Sequence, residues 1–316
     1  MNDFQGIAIP NFLGSLEKLS YLDLSNASFG GMIPPHLGNL SKLRHLDLLG
    51  LSSWLGYKFL DANPTRIVPC REVCDINAFK NATSLIIIGV ELPGQLVGSR
   101  GPIPASIGRL SKLEMLDLSF NQMNGSIPDG IGKLANLNFL LLDNNYWEGA
   151  LSQNHLQGLT KLQSFGISSS NKSLIFNMSH EWVPPFSLTE ITVRNCRLGP
   201  RFPAWLSNQK QLSYIRLTNV AISETIPYWL WELSPQIFWL DLSGNWIHGV
   251  LPNSLVFSRA YLVDLSFNCL EGSLPVWPNV SHLLLANNLF SGSIPMNINQ
   301  MMLSLEVLDL SELPKW

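Results

Sequence analysis

Charge is the first thing this chain of 316 residues is short of. Asp, Glu, Lys and Arg make up 14% of it, against roughly 25% in an ordinary globular protein. The 20 basic and 23 acidic residues leave a formal charge of −3, so there is no basic stripe for phosphates, and nucleic acid is excluded as a partner. Cysteine is scarce too. Four residues cannot staple a chain of this length, and Cys70 and Cys74, four apart, lack a His or second Cys pair at zinc spacing. No metal site is expected, and whether those two pair stays open. Long apolar runs are missing as well: Leu85–Val90 and Phe139–Leu142 fall far short of the roughly 20 residues that span a bilayer. The opening Met-Asn-Asp-Phe-Gln-Gly has neither the positive nor the apolar region of a signal peptide. Catalytic signatures are also wanting. There is no His-Glu-x-x-His, Gly-x-Ser-x-Gly or Gly-x-Gly-x-x-Gly, and the six His are scattered. The nearest thing to a phosphate loop, Gly125–Lys133, has its Lys in the wrong place. No enzyme and no cofactor are expected.

What the chain does have is leucine and asparagine, 55 and 27 residues respectively, with 46% hydrophobic residues overall. They recur in register. The pattern Leu-x-x-Leu-x-Leu-x-x-Asn starts at Leu19, Leu43, Leu85, Leu113, Leu137, Leu162, Leu188, Leu212, Ile237, Ala260, Val280 and Leu305. From Leu113 onward the starts lie 20 to 26 residues apart. Many units continue into Gly-x-Ile-Pro or a close variant: Gly31–Pro34, Gly125–Pro128, Gly249–Pro252, Gly272–Pro275 and Gly292–Pro295. This spacing defines a plant-type leucine-rich-repeat array, an α/β solenoid superhelix. Its parallel strands line a concave face, and irregular or 3-10 segments form the convex side.

One unit's letters predict its physics. Positions four and six, such as Leu116 and Leu118, point inward from a short strand, while five, seven and eight face out. Asn at position nine (Asn121, Asn145, Asn245, Asn268, Asn288) offers donors and an acceptor where the chain leaves the strand. Cys196 holds that place in its own unit as a small buried residue. The Gly permits an unusual backbone angle, and the Pro is expected to stop helix formation on the return path. An Asp recurs at position five (Asp23, Asp117, Asp241, Asp264, Asp309) and reads as a solvated row. Trp182, Trp205, Trp229, Trp231, Trp246 and Trp277 fall off the strands, where packing in the flank is expected.

The array divides into repeats over 1–48, an irregular insertion or gene-model fault over 49–84, and repeats again over 85–316, ending mid-unit. The segment Ser168–Ser187 is a second departure: it keeps a unit's length and loses Gly-x-Ile-Pro. Solenoids need polar caps and none is legible, so the chain reads as a piece of something longer.

Glu181–Leu188 (EWVPPFSL), Asn195–Leu206 (NCRLGPRFPAWL) and Ile222–Leu233 (ISETIPYWLWEL) resemble plant leucine-rich-repeat receptor-like proteins. The likeness is to the class with receptors for fungal xylanase and other disease-resistance proteins. Tyr146–Gly149 and Phe29–Gly38 fit the same group. The resemblance covers about 1–48 and 85–311. It implies a cell-surface ectodomain at the plasma membrane that binds a protein or peptide ligand and signals through a co-receptor kinase. Family members add a signal peptide, cysteine caps, a membrane helix and a short tail, none of which is legible here.

Sequons at Asn26, Asn39, Asn81, Asn124, Asn171, Asn177 and Asn279 together favour a glycosylated, secreted history. For binding, the units from Leu188 and Leu212 abandon the Asp…Ser filler. They present Glu190, Thr192, Arg194 and Asn195, then Tyr214, Arg216, Thr218 and Asn219, and adjoining units add Phe139, Trp239, Tyr261 and His282. Aromatics with Arg are interface-anchor types. Arg194 and Arg216 either clamp a ligand carboxylate or pair with Glu190 or the Asp row. Two other readings stay open: a secreted inhibitor of cell-wall-degrading enzymes, and a truncated product without function.

Overall fold

The computed structural model describes residues 9–24, 40, 42–44, 101–103, 105–253, 255–296 and 298–313. It also gives the backbone of short strands at 45–47, 84–86, 90–92, 95–97 and at residue 100. A strand forms in each of twelve repeats: β1 (Tyr21–Asp23), β2 (His45–Asp47), β3 (Ser84–Ile86), β4 (Met115–Asp117), β5 (Phe139–Trp147), β6 (Ser164–Ser169), β7 (Glu190–Arg194), β8 (Tyr214–Thr218), β9 (Trp239–Asp241), β10 (Ala260–Asp264), β11 (Val280–Leu284) and β12 (Val307–Asp309). The chain forms two compact units, one of 1–162 with 166–174, the other of 163–165 with 175–316.

In the first unit β1 to β5 pair in parallel, with Leu22, Leu46, Leu85, Leu116 and Leu140 in register. In the second, β7 to β12 do the same along Ile191, Ile215, Leu240, Val263, Leu283 and Leu308. These residues hold position four. Leu116, Leu118, Leu240 and Leu242 are buried as the pattern requires, each such side chain stabilising the stack by about 1.5–3 kcal/mol. One start is corrected. Leu85 pairs with Leu46 and Leu116, so it stands at position four, and its unit begins three residues earlier. The run Leu-Ile-Ile-Ile fits either register, and only the neighbouring strands decide between them. A second departure from the expected repeat over 85–316 is an antiparallel hairpin of Val90–Leu92 with Gln95–Val97. Cys70, Cys74 and nearly all of the 49–84 segment lie outside the described residues.

The turns that leave β4, β5, β9, β10 and β11 are held by position-nine asparagines, which are buried. Asn245 is typical. Its Nδ2 donates to Leu217 O of the preceding unit at 2.8 Å and to Leu242 O of its own at 2.9 Å. Its Oδ1 accepts the Val220 and Ile222 amides at 3.0 and 3.2 Å. Asn145, Asn268 and Asn288 repeat the arrangement, each reaching a carbonyl and an amide of the unit before it. The amide side chain thus replaces water on backbone groups that the strand ladder leaves unpaired. The row breaks where Cys196 and Val220 hold position nine. Cys196 Sγ donates to Arg194 O at 3.2 Å. Beside the break, at position eight, Asn219 Nδ2 donates to Asn195 Oδ1 at 2.7 Å.

Past the turn, Gly125, Gly249 and Gly272 take φ of 82, 93 and 88°, which side chains with a Cβ resist. In the second unit His248–Val250, Cys269–Gly272 and Leu289–Phe290 form a further parallel sheet. No helical turn is described after Pro252 or Pro275, as expected, but other prolines act differently. Pro128, Pro203 and Pro227 are extended residues at the start of short helical turns at Asp129–Lys133, Ala204–Asn208 and Tyr228–Trp231. Proline lacks only an amide that a helix start leaves unpaired anyway, so it opens these turns rather than preventing them. In the first unit the turns stack very closely: a Cβ on Gly158 would lie 1.9 Å from Gly132 O.

The tryptophans mostly pack in the flank. Trp277 is fully buried, touches Trp231 and Phe257, and donates to Pro252 O at 2.8 Å. Trp182 and Trp205 meet edge-on, as do Trp229 and Phe202. Trp246 is a correction, being 62% exposed. It follows Asn245 in the turn, and its amide is held by Ile222 O, which fixes the backbone and leaves the ring outside.

Candidate ligand-binding face

The outward side of β7 to β11, wholly within the second unit, carries the residues singled out for binding. Strand register sets their order. Glu190 stands opposite Tyr214, Thr192 opposite Arg216 and Arg194 opposite Thr218. Tyr214 then faces Trp239, and Arg216 faces Asp241. Trp239 faces Leu262, which faces His282. All of Glu190, Thr192, Arg194, Tyr214, Arg216, Thr218, Trp239 and Tyr261 are half-buried, because parallel strands hold neighbouring side chains close enough to cover one another.

The aromatics form one row. Tyr214 and Trp239 stack at 5.3 Å with 16° between their planes, Trp239 and Tyr261 at 5.9 Å with 23°, and Tyr261 meets His282 at 4.6 Å. Phe238, 47% exposed, stacks on Tyr261 at 5.8 Å. Such pairs contribute about 0.5–1.5 kcal/mol each beyond the area they bury. His282 Nδ1 lies 3.1 Å from Tyr261 O, which pins one end. Sequence reasoning found four members and missed Phe238, which sits at position two like Tyr261. Two consecutive aromatics at that position were the legible signal.

The two arginines do not form a matched pair. Arg194 and Arg216 are offset by two residues along adjacent strands. Arg216 Nε donates to Asp241 Oδ2 at 2.9 Å, with the Arg side chain 31% exposed and the Asp 4%. The pairing alternative therefore describes Arg216. The Asp row is solvated only in part: Asp23 is exposed, as expected, but others are not. Asp117 and Asp241 are buried, and Asp117, Asp241, Asp264 and Asp309 each accept the amide of the Ser two residues on. Asp241 and Asp264 take that hydroxyl as well, at 2.6 Å. The recurring Asp…Ser is thus a strand-end turn lock, the short polar side chain bonding its own backbone two residues ahead. Burial pushes the Asp264 carboxyl above its ordinary value, opposed by the Ser266 bonds; the Asp241 charge raises it further and Arg216 lowers it. Burial likewise raises Glu190, against the Ser164 hydroxyl bond at 3.2 Å.

Phe139 belongs to β5 in the first unit and is partly exposed. Of the sequon asparagines, Asn124, Asn171, Asn177 and Asn279 are exposed. Asn26, Asn39 and Asn81 lie outside the described residues. Among the described residues no cluster of His, Cys, Asp or Glu could hold a metal ion, and no helix is long and apolar enough to cross a membrane.

The Leucine Rich Repeat family model matches residues 18–40 and 112–134. Receptor-like protein EIX2 of Solanum lycopersicum is 36% identical over 149 residues, 46% of this chain and 14% of that protein. Receptor-like protein 1 of Arabidopsis thaliana is 31% identical over 205 residues, 63% of this chain and 19% of that protein. The matches thus span under a fifth of these relatives' length. Among solved structures, PEPR1 with AtPEP1 superposes over 97% of this chain and 43% of that one, with a TM-score of 0.68 and 22% identity. The Arabidopsis receptor kinase HAESA, solved with the peptide hormone IDA and the co-receptor SERK1, covers 97% of this chain and 52% of its own, with a TM-score of 0.59 and 24% identity. Those likenesses carry the fold. With the repeat register and the buried asparagine row, they give the chain a leucine-rich-repeat fold, and over part of its length its sequence is similar to plant receptor-like proteins.

Proposed function

We propose that the chain is a non-catalytic, ligand-binding stretch of a plant cell-surface receptor-like protein, and that β7 to β10 receive a protein or peptide. One observation carries this reading: a continuous aromatic row of Tyr214, Trp239 and Tyr261 runs across adjacent strands beside a fixed Arg216–Asp241 pair. Aromatics and arginines of this kind make interface hot spots. The binding residues are Glu190, Thr192, Arg194, Tyr214, Arg216, Thr218, Trp239 and Tyr261. Because Arg216 already neutralises Asp241, recognition rests on apolar and aromatic contact, with Arg216 orienting the ligand rather than capturing a free carboxylate. In the cell the complex engages a co-receptor kinase, in defence or peptide perception, and the exposed sequons at Asn124, Asn171, Asn177 and Asn279 carry glycans. The kinship to receptor-like proteins supports this placement.

The test is a selection of random twelve-residue peptides displayed against the immobilised chain, followed by affinity measurement on synthetic copies. Enriched peptides should bind the parent chain and lose at least about tenfold in affinity to a Tyr214→Ala/Trp239→Ala double variant with unchanged circular dichroism, as hot-spot truncation does. Equal affinity for that variant would remove this face. Charge reversal at Arg216 is a poor test, since it strands the buried Asp241.

A further inference from the structure

The irregular unit over 168–187 leaves a hollow off the strands, in the second unit and outside the face just described. A cavity of about 330 Å³ opens between Phe176–His180 and Leu198–Trp205. Its walls include Phe176, Met178, Leu198, Phe202 and Trp205. Phe176 is tied in place, its amide donating to Arg197 O at 2.9 Å. Trp205 packs edge-on against Trp182 at 5.7 Å and Phe186 at 6.5 Å, so one side of the cavity is a rigid aromatic wall.

Three features give the cavity a chemistry. Its lining is apolar in the main. It carries the cation Arg201 together with His180, both at exposed positions, and no carboxylate. Glu224, the acid bonded to this segment, is occupied by the Phe202 amide. Finally, Trp205 is only 2% exposed, and its indole N–H has no hydrogen-bond partner among the described residues. A buried donor left unpaired is costly, so an acceptor drawn to this wall is favoured. The Trp239 indole N–H is also buried and unpaired among the described residues, whereas the buried Trp147 and Trp277 indoles each donate to a carbonyl, at 2.7 and 2.8 Å.

We propose that this cavity binds a small apolar monoanion, an aromatic or aliphatic carboxylate. The hydrocarbon part sits against Phe176, Met178, Phe202 and the Trp205 ring, and the carboxylate lies toward Arg201. Apolar walls with a few convergent polar groups are the usual make-up of small-molecule sites, and a guanidinium is suited to a planar carboxylate. The site is independent of the strand face, since no residue is shared.

The probe is 2-naphthoate, titrated into the whole chain by calorimetry and by ¹H–¹⁵N spectra of the indole N–H groups. The Trp205 resonance, identified by its loss in Trp205→Phe, should shift with saturation at one equivalent. Arg201→Gln should weaken binding about tenfold, the scale of a lost charge-assisted bond. Neutral 2-naphthamide should bind correspondingly less well, and Trp239→Ala should change nothing. No saturable binding, a Trp205 resonance that stays still, or equal affinity for the acid and the amide would each overturn the proposal. The resonance is read on the unmutated chain, and triple-resonance assignment of that chain identifies it if Trp205→Phe fails to fold.

Discussion

Replacing Asn245 by Ala removes a single buried amide and isolates what the position-nine row does. The side chain accepts two amides, from Val220 and Ile222, and donates to Leu217 O and Leu242 O. Val220 and Ile222 are fully buried, so water cannot take over without opening the turn. Each stranded amide costs about 1–3 kcal/mol, and two give about 2–6 kcal/mol, with a central value near 4. The carbonyls keep a second lone pair and add little. Urea unfolding should register a loss of that size relative to the parent, while the exposed Asn208→Ala stays within about 0.5 kcal/mol. Native-state hydrogen exchange gives the sharper assay. Protection of the Val220 and Ile222 amides should fall by about a thousandfold, at 1.4 kcal/mol per decade. A loss under about 1 kcal/mol with both amides still protected would refute the view that the row supports the turns.

Two further outcomes follow from packing and charge. Gly158→Ala drives a Cβ into Gly132 O and should cost at least about 2–3 kcal/mol as overpacking, read as a lowered urea midpoint; a neutral effect would mean the stacked turns slide apart freely. Glu190 has a carboxyl raised above the ordinary 4.5 by burial, so its favourable share of stability is present below that value and lost as pH rises through the higher folded one. Glu190→Gln should therefore raise Tm near pH 7 and leave it unchanged near pH 3.5, and an equal shift at both pH values would contradict the cause assigned.

The fold was legible because its signal is periodic. Position-four residues such as Ile191, Ile215 and Leu240 were placed by spacing alone and pair in that register. What escaped had no period or had two. Leu85 sits in a run of equivalent apolar residues, where a shift of three leaves the pattern intact. Asp117 and Asp241 looked solvated because their type is usually exposed, but the Ser two residues on turns each into a local lock. The candidate face was legible as a change in filler in the units from Leu188 and Leu212 and as aromatics in the units beside them. Its stacking was not, since ring distances depend on rotamers that strand register alone does not fix. The flank cavity left only an indirect trace, a unit that had lost its Gly-x-Ile-Pro.

The direction of the asparagine bonds has a consequence for synthesis. Asn145, Asn245, Asn268 and Asn288 all reach back toward the preceding unit and satisfy its turn. A unit leaving the ribosome is therefore unfinished until its successor's asparagine has been made. With units about 24 residues apart and elongation at about 5–20 residues per second, each turn waits roughly 1–5 s for closure. At those four junctions, closure of a turn lags translation by one repeat.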